Sequence, residues 1–471
     1  MLFNSIDFVL FFCAFVAAWP LLRRWNNARW GYLIAASFFF YGWWDWRFLF
    51  LLLVSGTIDF LAALGMTTHR RWRRPLLVLS LIGNLGLLAT LKYLDFAIGN
   101  FNALTGWFGH GSLVPLARLT LPVGISFYTF QSMSYTIDVY RGCLEPTRNP
   151  LHFFAYLSMF PQLVAGPIVR ASHLLPQLKH ARATTETQRW EGLRLVVLGY
   201  FKKMVVADNL APVVNTAFDG DTLMASGAYW WIIALMFAFQ IYCDFSGYSD
   251  IARGLARWMG YDFPLNFDHP YIAGSFREFW QRWHISLSTW FRDYVYIPLG
   301  GSRCSAGAAH ANMWITMVLS GLWHGASWTF IAWGALHAAF LSLERAANWP
   351  RRLARIPGGN LIGVATTLIG VLIAWVFFRA QTLTQAVDIV CLMLNPAAFN
   401  LDAVGANIHW RELLLVAIMA FRHALCHPGW QLDIEPRRAW PKLAQPVFVS
   451  VLVWACIYLR GPGSAFVYFQ F

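Results

Sequence analysis

The chain has 471 residues, 58% of them hydrophobic and only 13% charged, with a mean hydropathy of +0.48; a soluble domain is about 25% charged, so this one uses lipid as solvent. Its net charge of +13 suits cytoplasmic loops facing anionic lipid. Its Lys and Arg are scattered through loops without the clustered patch of a nucleic-acid binder, so no nucleic-acid partner is expected.

The first apolar run, Ile6–Leu22, has no basic leader before it and no A-x-A cleavage site after it, and reads as a retained span. Arg23, Arg24 and Arg29 follow. Trp30–Trp44 and Phe48–Met66 are the next two spans, separated by Asp45–Trp46–Arg47, and then comes the basic cluster His69–Arg74. With both basic loops cytoplasmic, the N-terminus lies outside. Leu76–Phe96 crosses outward despite Asn84 and Lys92, and Asn100–Arg118 reads as a periplasmic loop. Leu121–Val139 carries Ser126, Tyr128, Thr129, Gln131, Ser132, Ser134, Tyr135 and Asp138; such a helix is costly against lipid and sensible lining a cavity. In Phe153–Val169, Pro161 and Gly166-Pro167 forbid one continuous helix, so a re-entrant or cavity-lining segment is expected.

Arg170–Arg194 reads as a cytoplasmic surface stretch. Leu195–Asn209, interrupted by Lys202 and Lys203, and Tyr229–Tyr242 are further apolar runs. Phe263–Ile297 repeats aromatic residues at helical spacing and reads as an amphipathic helix, closed by Pro298 and Gly300-Gly301. From Cys304 to Leu343 there is no Asp, Glu, Lys or Arg, which reads as membrane-buried helix. Leu361–Phe378, Leu413–Phe421 and Val447–Leu459 complete the apolar runs. The expected fold is all-α: a polytopic integral membrane protein of roughly eleven transmembrane helices, with re-entrant and interfacial helices around a central cavity. Residues 1–471 form a single domain in this reading.

Two histidines stand out. His324, in SGLWHGASW, sits inside the charge-free run, where a titratable group must be met by a partner, a water-filled cavity or a substrate. Gly321, Gly325 and Ala326 beside it would let a helix or an acyl chain approach closely. His284 shares the aromatic face of its helix. On chemistry alone His324 is as readily a packing residue as a functional one, and His284 more readily a packing residue; in one cavity, one imidazole could take a proton from a hydroxyl while the other orients reactants. His337, thirteen residues after His324, falls about 220° round an ideal helix and is taken as structural. FQIYCDFSGYSDIAR places Asp244 at the end of an apolar run, as a cavity carboxylate or as part of a capped helix end. The seven cysteines are odd in number and show no CxxC, so neither a disulfide framework nor a zinc site is indicated. His423, Cys426 and His427 cluster without ligand spacing, and no metal is expected.

The stretches WHGASW, RWHISLSTWFRDYVYIPLGG, LPVGISFYTFQSMSYTIDVYRG, FPQLVAGPI, QIYCDFSGYSDIA and FVYFQF resemble the membrane-bound O-acyltransferases, in particular the bacterial polysaccharide branch typified by the alginate O-acetylation membrane subunit. The resemblance runs from about Phe39 to Phe471. It implies an essential histidine at His324 and a second important one at His284. Substrate-binding candidates beside them are Trp323, Asp244, Arg277 and Gln162. The implied reaction moves acetyl from cytoplasmic acetyl-CoA, a donor substrate and not a bound cofactor, across the bacterial inner membrane. The implied partners are membrane lipid, a periplasmic acetyltransferase and an exopolysaccharide acceptor of the alginate or cellulose type. A neutral imidazole at His324 would serve as base, and oxyanion stabilisation would complete the chemistry. The rival readings are a lipid-linked sugar flippase, which would need a polar cavity but commonly shows paired halves, and D-alanyl or other acyl transfer on the same fold.

Overall fold

The apolar run after Ser5 forms helix α1 (Ile6–Leu22), with Ser5 accepting from the Phe8 N–H as its cap. In the computed structural model, which describes residues 1–164, 166–180, 183–220, 226–426 and 444–467, the regular elements of the described residues are helices, and the chain divides into two compact units. One comprises residues 1–196 and 249–264, the other 197–248 and 265–471.

In the first unit, α1 buries Phe8, Phe11, Phe15 and Trp19 along one stripe while Ile6, Val9 and Leu10 stay exposed, the pattern of a helix with one protein face and one lipid face. Helices α2 (Asn26–Asp45) and α3 (Leu49–Thr68) match the two expected spans, joined by a single 3₁₀ turn at Trp46–Phe48. Arg29 departs from expectation. It is a fully buried residue of α2 rather than a loop residue, and its guanidinium donates to the Arg23 and Leu178 carbonyls at 2.8 and 2.7 Å. It thereby satisfies carbonyls that helix ends leave open. After α4 (Arg73–Leu88) the chain continues through a π-helical turn into α5 (Leu94–Trp107), so the first part of the expected periplasmic loop at Asn100–Arg118 is helix. No charge or proline interrupts residues 96–107, so the helix propagates there despite Gly99 and Gly106.

Helix α6 (Ile125–Arg141) buries almost every residue it has. Its polar residues are buried within the protein, and several are engaged by neighbouring helices. Asp59 of α3 accepts from Ser80 and Asn84 of α4 and from Ser132 of α6, and Gln131 donates to the Tyr156 carbonyl at 3.0 Å. A buried carboxylate with several donors is a satisfied polar centre that ties three helices together. The FPQL segment breaks as the prolines require, into α7 (Pro150–Leu157), the single turn α8 (Phe160–Leu163) and, after a non-helical link, α9 (Ala171–Leu178). In α9, Leu174, Leu175 and Leu178 are buried, so the stretch beginning at Arg170 is not uniformly surface.

Helix α10 (Glu186–Tyr200) leads through a π-helical turn at 201–207 into α11 (Asp208–Asp219). Helix α12 (Gly227–Met259) runs far past the expected end at Tyr242. Asp244, Ser246 and Ser249 are therefore buried mid-helix residues, not caps. The expected helix over Phe263–Ile297 is likewise not one helix. Residues 263–275 are extended apart from one 3₁₀ turn, and two short helices follow, α13 (Phe276–Arg282) and α14 (Ile285–Phe291). Ser275 and Glu278 form a capping box at the start of α13, Ser275 accepting from Glu278 N–H at 3.1 Å and Glu278 accepting from Gly274 N–H at 2.8 Å. Aromatic spacing could not reveal the break, because it lies in one backbone angle, φ +42° at His284.

The charge-free run folds as a hairpin of two helices, α15 (Ala306–His324) and α16 (Trp328–Ala347), turning at Gly325–Ser327. They are antiparallel, with Trp314 donating to Ser342 near the open end and Gly321 meeting Phe330 near the turn. A Cβ on Gly321 would lie 2.2 Å from the Phe330 carbonyl oxygen, and one on Gly334 2.4 Å from that of Met317. The small residues let the two backbones touch. Gly321→Ala must push the helices apart and should cost about 1–3 kcal/mol, read as a lowered unfolding midpoint in detergent. Gly307→Ala, where a Cβ meets open space, should be neutral or stabilising; equal midpoints for the two would remove the close-packing argument. Helices α17 (Trp349–Leu353), α18 (Gly359–Arg379), α19 (Leu383–Leu394), α20 (Asp402–Asn407), α21 (Trp410–Leu425) and α22 (Ala444–Tyr458) complete the second unit.

Among the described residues, four helical stretches are long and apolar enough to cross a membrane: 26–68, 70–107, 227–259 and 359–379, with shorter apolar helices at Ile6–Leu22, Leu383–Leu394 and Ala444–Tyr458. The protein is an all-α polytopic membrane protein.

Candidate active site

Both singled-out histidines lie in the second unit, and one indole joins them. His324 is the last residue of α15, where extended backbone at Gly325 ends the helix. Its imidazole is buried, with ring centroids of Trp323, Trp333 and Phe378 at 5.0, 5.0 and 5.3 Å, all close to edge-on. His284 is fully buried at the junction of α13 and α14. Phe245 lies 4.6 Å from it, Phe267 6.0 Å and Trp323 6.2 Å. Trp323 is thus packed against both imidazoles.

The left-handed backbone at His284 is unusual for a residue with a Cβ, and Asn266 holds it. The Asn266 backbone carbonyl accepts from Ile285 N–H at 2.9 Å, and its side-chain oxygen accepts from Ser286 N–H at 3.1 Å and Ser286 Oγ at 2.8 Å. The same oxygen lies 3.2 Å from His284 Nδ1. The junction belongs to two seven-residue helices, outside every stretch long enough to span a membrane. Burial pushes the His284 imidazole down to about 3 against a weaker opposing hydrogen bond from its own backbone, so the ring is neutral at physiological pH.

The remaining candidates fall in different places. Asp244 is paired with Lys203 at 2.8 Å and accepts from Val467 N–H at 2.7 Å. Lys203, itself buried, also pairs with Asp208 at 2.9 Å and donates to the Ser464 carbonyl at 3.0 Å. Ser464 in turn donates from Oγ to Asp208 at 2.6 Å, Gly461 N–H to Met204 at 2.8 Å, and Asn209 to the Leu459 carbonyl at 2.9 Å. Residues 459–467 are therefore a strap fastened to the helices around Lys203. The strap carries Phe466, whose buried ring lies 4.5 Å from Tyr248 and 5.6 Å from Phe245, the residue packed on His284. Of the motif FVYFQF, residues 468–471 lie outside the described residues. Arg277 is exposed on α13, its backbone N–H facing Glu344. Gln162 belongs to the first unit, where it is buried and donates to the Tyr156 carbonyl at 2.7 Å.

His337 corrects an assumption. With α15 and α16 folded into a hairpin, the angle round a continuous helix has no meaning, and Trp333 lies 4.8 Å from His337 and 5.0 Å from His324. His423 donates from Nδ1 to the Met419 carbonyl at 2.9 Å, while His427 lies outside the described residues. Among the described residues no group of three His, Cys, Asp or Glu could hold a metal. Sequence reading passed over Asn266 and Lys203. The first carried a signal as a lone amide in the proline-bounded PLNFDHP, and the second as a lysine in an apolar run.

Comparison with known proteins decides what this arrangement belongs to. The model of MBOAT, the membrane-bound O-acyltransferase family, matches residues 141–381, which contain His284, His324, Asn266 and Lys203. The chain belongs to the membrane-bound O-acyltransferase family. It is 42% identical to the "Probable alginate O-acetylase AlgI" of Pseudomonas aeruginosa, over 87% of this chain and 78% of that one. It is 36% identical to a "Peptidoglycan O-acetyltransferase" of Helicobacter pylori, over 76% of this chain and 72% of that one. A "Teichoic acid D-alanyltransferase" of Bacillus subtilis is 25% identical over 54% of this chain and 66% of its own length. Proteins that share sequence with this chain thus differ in the acyl group and polymer that their names give.

Proposed function

We propose that this chain takes acetyl from acetyl-CoA at the cytoplasmic side and moves it across the bacterial inner membrane for O-acetylation of an exopolysaccharide of the alginate or cellulose type. The observation that carries this reading is the buried pair of imidazoles on Trp323 in a chain 42% identical to an alginate O-acetylase. The enzyme is a multi-pass inner-membrane acyltransferase. In the proposed step an acceptor hydroxyl loses its proton to a neutral imidazole and its oxygen attacks the thioester carbonyl. The C–S bond then breaks, and the departing thiolate takes the proton from the imidazolium. We assign His324 as the base, and His284 orients a reactant or stabilises charge; Trp323 walls the reacting centre. Asp244 serves through its pairing with Lys203, and Arg277 and Gln162 are proposed as outer contacts of substrate.

The chain is proposed to act as a single catalytic domain, because α10 and α12 each contribute residues to both units. Roughly eleven crossings, an external N-terminus and a re-entrant FPQL segment fit the apolar runs and basic loops. The acetyl group passes either to the polymer itself or first to a periplasmic acetyltransferase that carries it onward. Deleting the gene and measuring ester-linked acetate and secreted polymer together tests the reading. Polymer secreted without acetate is the expected result. Lost secretion with normal acetate on the residual polymer would favour a flippase, and altered D-alanine with intact acetate would favour the D-alanyl reading.

A further inference from the structure

Resting on that reading, we infer that Asn266 is a positioning residue: it fixes the His284 tautomer with Nε2 as a hydrogen-bond acceptor, so that His284 orients a reactant through a donor other than the proton His324 removes, instead of stabilising negative charge.

One donor at this site has a fixed role. A backbone N–H only donates, and that of Ser286 points at the Asn266 side chain at 3.1 Å. The atom it meets is therefore the amide oxygen and not the amide nitrogen. The same oxygen faces His284 Nδ1 at 3.2 Å, and an amide oxygen only accepts. Nδ1 must carry the proton, and in a neutral imidazole Nε2 then carries the lone pair. Such a ring accepts a hydrogen bond at Nε2 from a donor group of a bound reactant and has no proton there for an oxyanion. Of the two roles open to His284, this hydrogen bonding favours the first.

Asn266 does this from a built position. It is buried, and its backbone carbonyl holds Ile285 while its side chain holds Ser286, so both ends of the left-handed turn are clamped by one residue. The groups facing His284 are Phe245 from α12, Asn266 and Phe267 from the extended loop, Ser286 from α14 and Trp323 from α15; none is charged. The titratable or charged neighbours on those elements are Asp244, paired with Lys203, Tyr248, Asp268, which faces Arg282 at 3.7 Å, and His324. The group that meets Nδ1 is the uncharged Asn266 amide oxygen.

Two measurements test this in the full-length, detergent-purified protein. Nitrogen-15 spectra of histidine-labelled protein report the tautomer whether or not the enzyme turns over. The resonance lost in His284→Gln should show a protonated Nδ1 and a bare Nε2; the opposite tautomer overturns the inference. The second is the pH dependence of CoA release from acetyl-CoA. Asn266→Asp keeps the acceptor oxygen and the Ser286 contacts, but adds a charge that favours imidazolium. Protonation at Nε2 removes the acceptor, so the acid limb of kcat should move toward neutral pH, with KM for acetyl-CoA little changed. Asn266→Leu should lose about 10²–10⁴-fold in kcat, provided membrane abundance is retained. If Asn266 only capped α14, Asn266→Asp would keep the wild-type profile, and that result also overturns the inference. A wild-type protein that binds but never cleaves acetyl-CoA would sink the proposed function instead, leaving the tautomer to be judged by the spectra.

Discussion

His324→Gln should leave polymer secreted at wild-type levels and stripped of ester-linked acetate. The substitution keeps a side chain that can hydrogen-bond but takes away the nitrogen that can accept a proton at neutral pH. Loss of a general base costs about 10²–10⁴-fold, and the burial of this imidazole among Trp323, Trp333 and Phe378 leaves little room for water to substitute. The walls are large rings in edge-on contact, so His324→Ala would also open a void, and glutamine is the cleaner replacement. Acetate content, secreted polymer and membrane abundance should be read from the same cultures. Wild-type acetate in the glutamine variant would remove the base assignment. Lost secretion with full acetylation would move the histidine to a transport role.

Lys203→Met should be the most destabilising single change in the second unit, at about 3–5 kcal/mol. Removing the ammonium leaves Asp208 and Asp244 buried with no cation from Lys203 between them, and a charge stranded in low dielectric costs far more than the pair contributed. The strap should loosen with it, because the Ser464 carbonyl loses its donor and Asp208 and Asp244 hold Ser464 and Val467. Thermal unfolding in detergent and protease sensitivity near Ser464 would both register the change. The triple variant Lys203→Met, Asp208→Asn, Asp244→Asn should recover much of the lost stability, since replacing a whole buried ion pair is far milder than breaking it. If the single variant unfolds with the wild type, the ion triad does not hold the strap.

Much of the first unit could be read from one dimension. Ile6–Leu22 is bounded by a capping serine and an arginine pair, and an apolar run between such marks has one outcome. The break at Pro161 was equally legible, because proline removes a donor and fixes φ. What escaped was set by three-dimensional partners. Ser and Asp mark helix ends when solvent competes for the backbone, but inside a packed unit Asp244 finds Lys203, and α12 simply continues. The hairpin at Gly325 was hidden because a charge-free stretch looks the same straight or folded. His284 was placed on an aromatic face by spacing that the left-handed turn interrupts, and only the contacts of Asn266 explain why that turn is tolerated. The two histidines stood out by their surroundings, while the amide that holds one of them carries no charge to attract notice.

The fastening of the strap also sets an order of events during biogenesis. Asp208 and Ser464 are 256 positions apart, and Asn209 and Leu459 are 250 apart. At about 5–20 residues per second of synthesis, the helices bearing Lys203, Asp208 and Asp244 emerge well before the residues that complete their hydrogen bonding. The nascent chain must therefore wait with a partly met ion cluster, exposed to whatever quality-control proteases survey the bilayer. An insertion placed close after Val467 would act on this fastening step, so losses of yield from such insertions would report on assembly and not on catalysis.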